Sequence, residues 1–223
     1  MLFRSNGFKG VKIETINIMI DINSIVKTSK SIVRVISLIT NTDKLVSKQY
    51  IFDKFYPYWL LYRDEFFDTI AKKLDFNVFN VFRDRQITKK ITHNSHIDSN
   101  FIWVLRSRNF PEKNTIIHID NYDRFINYKE NTNLQVLKYI NKDVYLMPNL
   151  SYKPRSMKLP KNTIVDGSLA LLIPKSKKKP TKSQLDYYSS DEYRKFYKIA
   201  RNFGTRSLNI DTASVFFFGL IKD

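Results

Sequence analysis

At 223 residues, with 43% hydrophobic and 14% aromatic content, the chain has apolar side chains enough for a sizeable core and length for little more than one large domain. Its net charge of +17 and pI near 9.8 favour a polyanionic partner through counterion release and steering, with nucleic acid foremost. The lack of cysteine excludes a disulfide framework, a thiolate metal site and a cysteine nucleophile; together with no apolar run of about 18 residues and no signal-peptide pattern, it leads to the expectation of a cytoplasmic chain that neither spans a membrane nor is secreted.

Val11 to Ile20 alternates apolar and polar residues with period two, and so does part of Ile32 to Ile39. The two read as strands of an antiparallel hairpin joined loosely through the polar Asp21 to Ser31. Lys44 to Tyr56 reads as a connector and Pro57 to Leu61 as an apolar anchor. Asp64 to Leu74 is an amphipathic helix, with Phe67, Ile70, Ala71 and Leu74 at helical spacing and Lys72 and Lys73 closing its last turn.

Phe82 to Asn109, FRDRQITKKITHNSHIDSNFIWVLRSRN, reads as a basic turn or extended segment followed by a strand with a second basic cluster at its end. Guanidinium forks held by a strand pair suit phosphates and guanine edges, because each planar head offers parallel donors. The bland alternative is a solvated basic hairpin. His93 and His96 lie in a Ser/Asn/Asp-rich loop without a third ligand nearby, which disfavours a metal site. Beyond this segment, Thr115 to Ile119 reads as a short strand and Asp120 to Asp123 as a turn. Leu134 to Asn141 reads as a short helix, Val144 to Met147 as a strand, and Asn149 to Asn162 as a loop.

Ser168 to Ile173 follows a tight turn at Asp166-Gly167 and reads as a buried strand, with the solvated loop Lys175 to Lys179 after it. Ser189 with Glu192 makes a capping box for a helix burying Tyr193, Phe196, Tyr197 and Ala200, stopped at Gly204. Thr205 to Ile210 and Val215 to Phe218 read as extended, the phenylalanines as a core strand. Residues 81–110 and 153–206 together carry fourteen of the seventeen net charges. If they fold against each other, they form a continuous basic face.

FRDRQITKK and VLRSRN, then NYDRF, YLMPNLSYKPRS, VDGSLALLIPK and SSDEYRKFYKIARNFGTRSLNI resemble the C-terminal target-recognition region of type II adenine-N6 DNA methyltransferases. The likeness covers roughly Phe55 to Gly219. It implies a mixed α+β, hairpin-rich target-recognition domain over residues 55–223, and a strand pair with connector over 1–54 resembling the end of a catalytic domain. It further implies double-stranded DNA as partner, contacted by Arg83, Arg85, Lys89, Lys90, Arg106, Arg108, Arg155, Lys177, Lys178, Lys179 and Arg206. Among these the strand-borne arginines suit base edges and the lysine run suits phosphates.

Such an enzyme also needs a glycine-rich S-adenosylmethionine loop and an Asn-Pro-Pro-aromatic motif. With glycine only at 7, 10, 167, 204 and 219 and no Pro-Pro pair, the chain supplies neither. The expectation is therefore no catalytic residue and no cofactor here, with S-adenosylmethionine on a methyltransferase catalytic domain or subunit as second partner. A self-contained DNA enzyme such as a restriction nuclease is the alternative, weakened because Asp166 is followed by Gly-Ser-Leu-Ala and Glu112-Lys113 has the wrong spacing for a metal-dependent set. An RNA-binding protein is the other.

Overall fold

The computed structural model describes residues 32–37, 41–151, 153–177, 179–201 and 208–222. Strand β1 (Ile32–Ser37) pairs antiparallel with β2 (Thr42–Ser47), Ile32 facing Ser47 and Ser37 facing Thr42. The expected partner Val11 to Ile20 lies outside the described residues. The observed partner comes from the stretch read as the start of a connector, where Asn41 at φ 50° reverses the chain and the loop to close is short. After helix α1 (Lys48–Ile51), Arg63 ties the next segment together, with Nη1 2.9 Å from Asp53 and Nε 2.7 Å from Asp68.

Helix α2 (Glu65–Lys72) starts where Asp64 accepts from the Phe67 amide, an N-cap filling one of the orphan donors of the first turn. Phe67 and Ile70 are buried as their spacing requires, whereas Leu74 is buried one element later, in β3 (Leu74–Asp75). Next come β4 (Phe79–Arg83), β5 (Phe101–Leu105), β6 (Arg124–Asn127), β7 (Tyr145–Pro148), β8 (Leu150–Ser151), β9 (Met157–Lys158), β10 (Thr163–Val165) and β11 (Leu169–Pro174). Helices α3 (Lys182–Tyr187) and α4 (Asp191–Ala200) and the short strands β12 (Leu208–Asn209) and β13 (Leu220–Ile221) complete the chain. The architecture is mixed α+β, with several small sheets.

Two sheets carry the molecule, one ordered β4-β11-β7-β9 and the other β10-β5-β6. Strands β11 and β7 are apolar at nearly every position because both of their faces are covered. Leu172, Tyr145 and Met147 join a core with Phe67, Phe79, Tyr193, Phe196 and Phe217, while Leu169, Leu171 and Leu146 join a second core with Val104, Phe110, Ile126 and Ile164. The four-stranded sheet is thus a middle layer between the helices and the three-stranded sheet. Phe196 on α4 stacks on Phe67 of α2 with ring centroids 4.8 Å apart, and Tyr188 and Tyr193, both buried, donate to the carbonyls of Gly219 and Phe217 and hold the C-terminal segment.

The remaining differences from the sequence reading have local causes. Val215 to Phe218 is not a strand, because Asp211 Oδ1 accepts from the Ala213 and Ser214 amides and winds Ser214–Phe217 into a 3-10 turn; Phe217 and Phe218 are buried nonetheless. Thr115 to Ile119 is likewise no strand; Ile117 is held to Asn109 by two bonds, its amide donating to the Asn109 carbonyl at 2.9 Å and its carbonyl accepting from Asn109 Nδ2 at 3.0 Å. The cap of α4 is Ser190, accepting from the Tyr193 amide at 3.0 Å. The unforeseen α3 ends there and takes the Ser189 and Ser190 amides into its own last turn. Leu134 to Asn141 forms a 3-10 turn, Gln135–Tyr139. Gly204 lies outside the described residues.

Candidate functional site

One end of the two sheets gathers the arginines. Arg83 closes β4 opposite Ala170, the first positions of β11; Leu105 at the end of β5 lies level with Val165 at the end of β10; and Arg124 opens β6 opposite Val104. The turn Asp166-Gly167-Ser168 joins β10 to β11 at this same end. A Cβ on Gly167 would stand 2.7 Å from the Asp84 carbonyl, so only glycine lets the turn lie against the exit of β4. Arg83, Arg85, Arg106, Arg108 and Arg124 therefore ring one pole. The guanidinium forks expected on one strand pair sit on two sheets, since β4 pairs with β11 and β5 has β6 and β10 on its two sides.

The ring is not uniform. Arg106 Nε lies 3.2 Å from Asp166 Oδ2, its Nη1 donates to the Tyr122 carbonyl at 3.0 Å, and its guanidinium sits 4.1 Å above the Tyr122 ring. Arg106 is thus largely fastened to the scaffold. Arg108 shares the same ring at 4.9 Å but is exposed, and its guanidinium and that of Arg85 have no carboxylate partner among the described residues. Arg83 reaches the Ile210 carbonyl at 3.5 Å, at the limit of a hydrogen bond. Arg124 Nη1 donates to the Asp123 carbonyl at 2.8 Å.

Beside this ring lies an open groove of about 760 Å³ lined by Arg108, Lys113, Lys153, Arg155, Ser107 and Glu112 among others. Arg155 comes from the distant basic segment and folds onto the first. Its Nε donates to the Phe110 carbonyl at 2.9 Å and its guanidinium lies 5.0 Å over the Phe110 ring, and burial pulls its pKa below the ordinary arginine value. The Ser189 hydroxyl, buried in the groove wall, has no hydrogen-bond partner among the described residues. Asp84 beneath the pole is 4% exposed; its Oδ2 accepts from the Gln86 and Ile87 amides, and its Oδ1 has no partner among the described residues.

The lysines fall elsewhere. Lys177 and Lys179 follow Pro174 at the other end of β11, where, with Lys138, Lys142 and Asp143, they line a smaller groove of about 380 Å³. Lys179 pairs with Asp143, as Lys158 does at 2.6 Å, and these two hydrogen-bonded ammonium groups bring the Asp143 carboxyl down to about 2. A strand of six residues spans about 20 Å, so Lys177 and Lys179 form a pole apart from the arginine ring and make no continuous face with it. Lys89 and Lys90 stand exposed on a separate 3-10 turn, Lys89–Ile91. Lys178 and Arg206 lie outside the described residues. Sequence reasoning missed Arg124, Lys113 and Lys153 because their place at this pole depends on strand register and loop return.

Among the described residues no group of three or more acidic or histidine side chains is arranged to hold a metal ion, and no helix is long and apolar enough to cross a membrane. Gly167 and Gly219 each have a backbone carbonyl 2.7 Å from where a Cβ would stand, so close packing of the chain on itself accounts for both glycines. The arrangement offers exposed guanidinium groups at the ends of strands, which suits contact with an anion. Neither the models of known protein families nor the curated protein sequences give a match to this chain.

Proposed function

We propose that this chain recognises duplex DNA in sequence-specific fashion, as the specificity part of an adenine-N6 DNA methyltransferase in a restriction-modification system. The observation that carries the reading is the convergence of Arg83, Arg85, Arg108, Arg124 and Arg155, drawn from remote parts of the sequence, on one pole of the fold. A pole of guanidinium forks beside an open groove matches what base edges and phosphates require. S-adenosylmethionine and the methyl-transfer residues belong to a catalytic domain or subunit beside this chain, in the cytoplasm. Arg108 and Arg85 read base edges, Arg106 holds Tyr122 and Asp166 in place beneath them, and the lysine pole follows the sugar-phosphate backbone.

The test is binding of labelled duplexes by the 223-residue chain across salt. The logarithm of affinity should fall linearly with the logarithm of salt, by about 0.9 per phosphate neutralised. Added S-adenosylmethionine should not bind, and methyl transfer should appear only with a catalytic partner. Salt-insensitive or absent duplex binding would remove the reading, and methyl transfer by the isolated chain would overturn its division of labour.

A further inference from the structure

The turn between Ile117 and Arg124 carries a cluster of titratable groups beside the arginine pole. His118 Nδ1 lies 2.7 Å from Asp123 Oδ2, and the imidazole stacks on the Trp103 ring with centroids 3.8 Å apart and planes within 10°. Asp123 is itself 9% exposed and is fixed through Oδ1, which accepts from Asn109 Nδ2 at 2.6 Å and from the Ile119 amide at 3.2 Å. The His118 side chain nevertheless remains 71% exposed. A ring pinned on one edge and one face, yet largely open to solvent, is costly to build as a spacer.

The carboxylate on Nδ1 fixes that nitrogen as the one bearing hydrogen, and Nε2 has no partner among the described residues. The same turn supplies the Tyr122 ring under Arg106 and Arg108 and the carbonyls that hold Arg124. The charged groups on its own turn are Asp120 and Asp123, with Arg124 following at the start of β6 and Arg106 and Arg108 lying over the Tyr122 ring of the same turn. Asn109, Trp103 of β5 and Thr163 of β10, which pairs with Trp103, are uncharged. Protonation at Nε2 would therefore add a cation to the pole without breaking the bond on the other nitrogen.

We infer that His118 is a proton-gated phosphate contact of the DNA-binding pole, with Asp123 as its positioning residue; this rests on the DNA-binding reading above. In the neutral ring Nε2 is an acceptor and repels a phosphate oxygen. In the imidazolium it is an N–H donor aimed at one. Binding of a nucleic-acid phosphate takes up one proton at Nε2, so affinity rises as pH falls. His93 and His96 meet Phe101 and Phe125 only edge-on, at 5.1 and 5.9 Å, and have no carboxylate held against them among the described residues. They serve as internal controls.

The experiment measures duplex affinity of the full chain between pH 8 and 6 at fixed ionic strength. The wild type should tighten by roughly five- to tenfold over that interval, the gain available from part of one proton. His118→Gln should bind with the wild type's affinity at pH 8 throughout, and His118→Lys with its affinity at pH 6 throughout, while His93→Gln/His96→Gln keeps the wild-type slope. A slope that persists in His118→Gln, or a wild type with no slope, overturns the inference and leaves the DNA-binding reading standing. A chain that binds no duplex at any pH overturns both.

Discussion

Arg106→Ala separates scaffold from contact at the arginine pole. In the folded chain this side chain makes two charge-assisted hydrogen bonds, to Asp166 Oδ2 and the Tyr122 carbonyl, and covers the Tyr122 ring. Each such bond is worth about 1.5 to 3 kcal/mol when its partner is left behind, and a cation over an aromatic face about 0.5 to 2. The Nε to Asp166 distance of 3.2 Å and an Arg106 exposure of 27% pull these values down, and Asp166 keeps its bonds from the Ser168 amide and hydroxyl. The expected loss is about 2 to 3 kcal/mol of folding stability. Arg108→Ala, removing an exposed side chain, should cost less than about 0.5 kcal/mol. Urea unfolding followed by circular dichroism, with unchanged slope, gives both values. Duplex binding of the folded variants should show the reverse order, with Arg108→Ala losing about 1 to 3 kcal/mol and relaxing sequence preference. If Arg106→Ala unfolds within about 0.5 kcal/mol of the parent and loses discrimination as Arg108→Ala does, Arg106 is a DNA contact and the division between the two arginines is refuted.

Phe196, fully buried and stacked on Phe67, should cost about 3 to 5 kcal/mol on replacement by alanine; a loss below about 1 would show that the α4 face is not in the core. Gly167→Ala, whose Cβ would meet the Asp84 carbonyl at 2.7 Å, should destabilise by about 1 to 3 kcal/mol and weaken DNA binding with it, and unchanged melting would mean that the turn has room to shift. Although burial works to raise the Asp211 pKa, the Ser214 amide, the Tyr58 hydroxyl and Arg201 outweigh it and hold the carboxyl below its usual range. Its stabilising effect is therefore present above the unfolded-state value and lost as pH falls through the lower folded value, so Asp211→Asn should flatten the acid side of the stability curve, and an acid limb identical to the parent's would contradict this. Lys177→Ala/Lys179→Ala should weaken cognate and scrambled duplexes alike and lower the salt slope by about one for each phosphate no longer neutralised; loss of discrimination would move base reading to the lysine pole.

Neighbouring residues alone were enough to show which stretches are buried and which are basic. Helix α4 was legible because Tyr193, Phe196, Tyr197 and Ala200 repeat at helical spacing, and β11 because an unbroken apolar run behind a turn glycine has to be covered on both faces. These are local signals. Turn chemistry already reached beyond them: Asp211 converts Val215 to Phe218 from an apparent strand into a 3-10 turn by capping two amides, and α3 moves the α4 cap by one residue. The site was legible only as a set of cations. Whether Arg155 joins Arg108, or Lys179 sits about a strand's length away beside Asp143, depends on which strand lies next to which. That order is fixed by long-range packing of β11 between two cores, where a side chain's neighbours are remote in sequence and leave no periodic trace. Only the folded arrangement therefore shows that Arg108 and Arg155 meet at one pole while Lys177 and Lys179 stand at another, and that a histidine with no signal of its own stands on Trp103 beside the first.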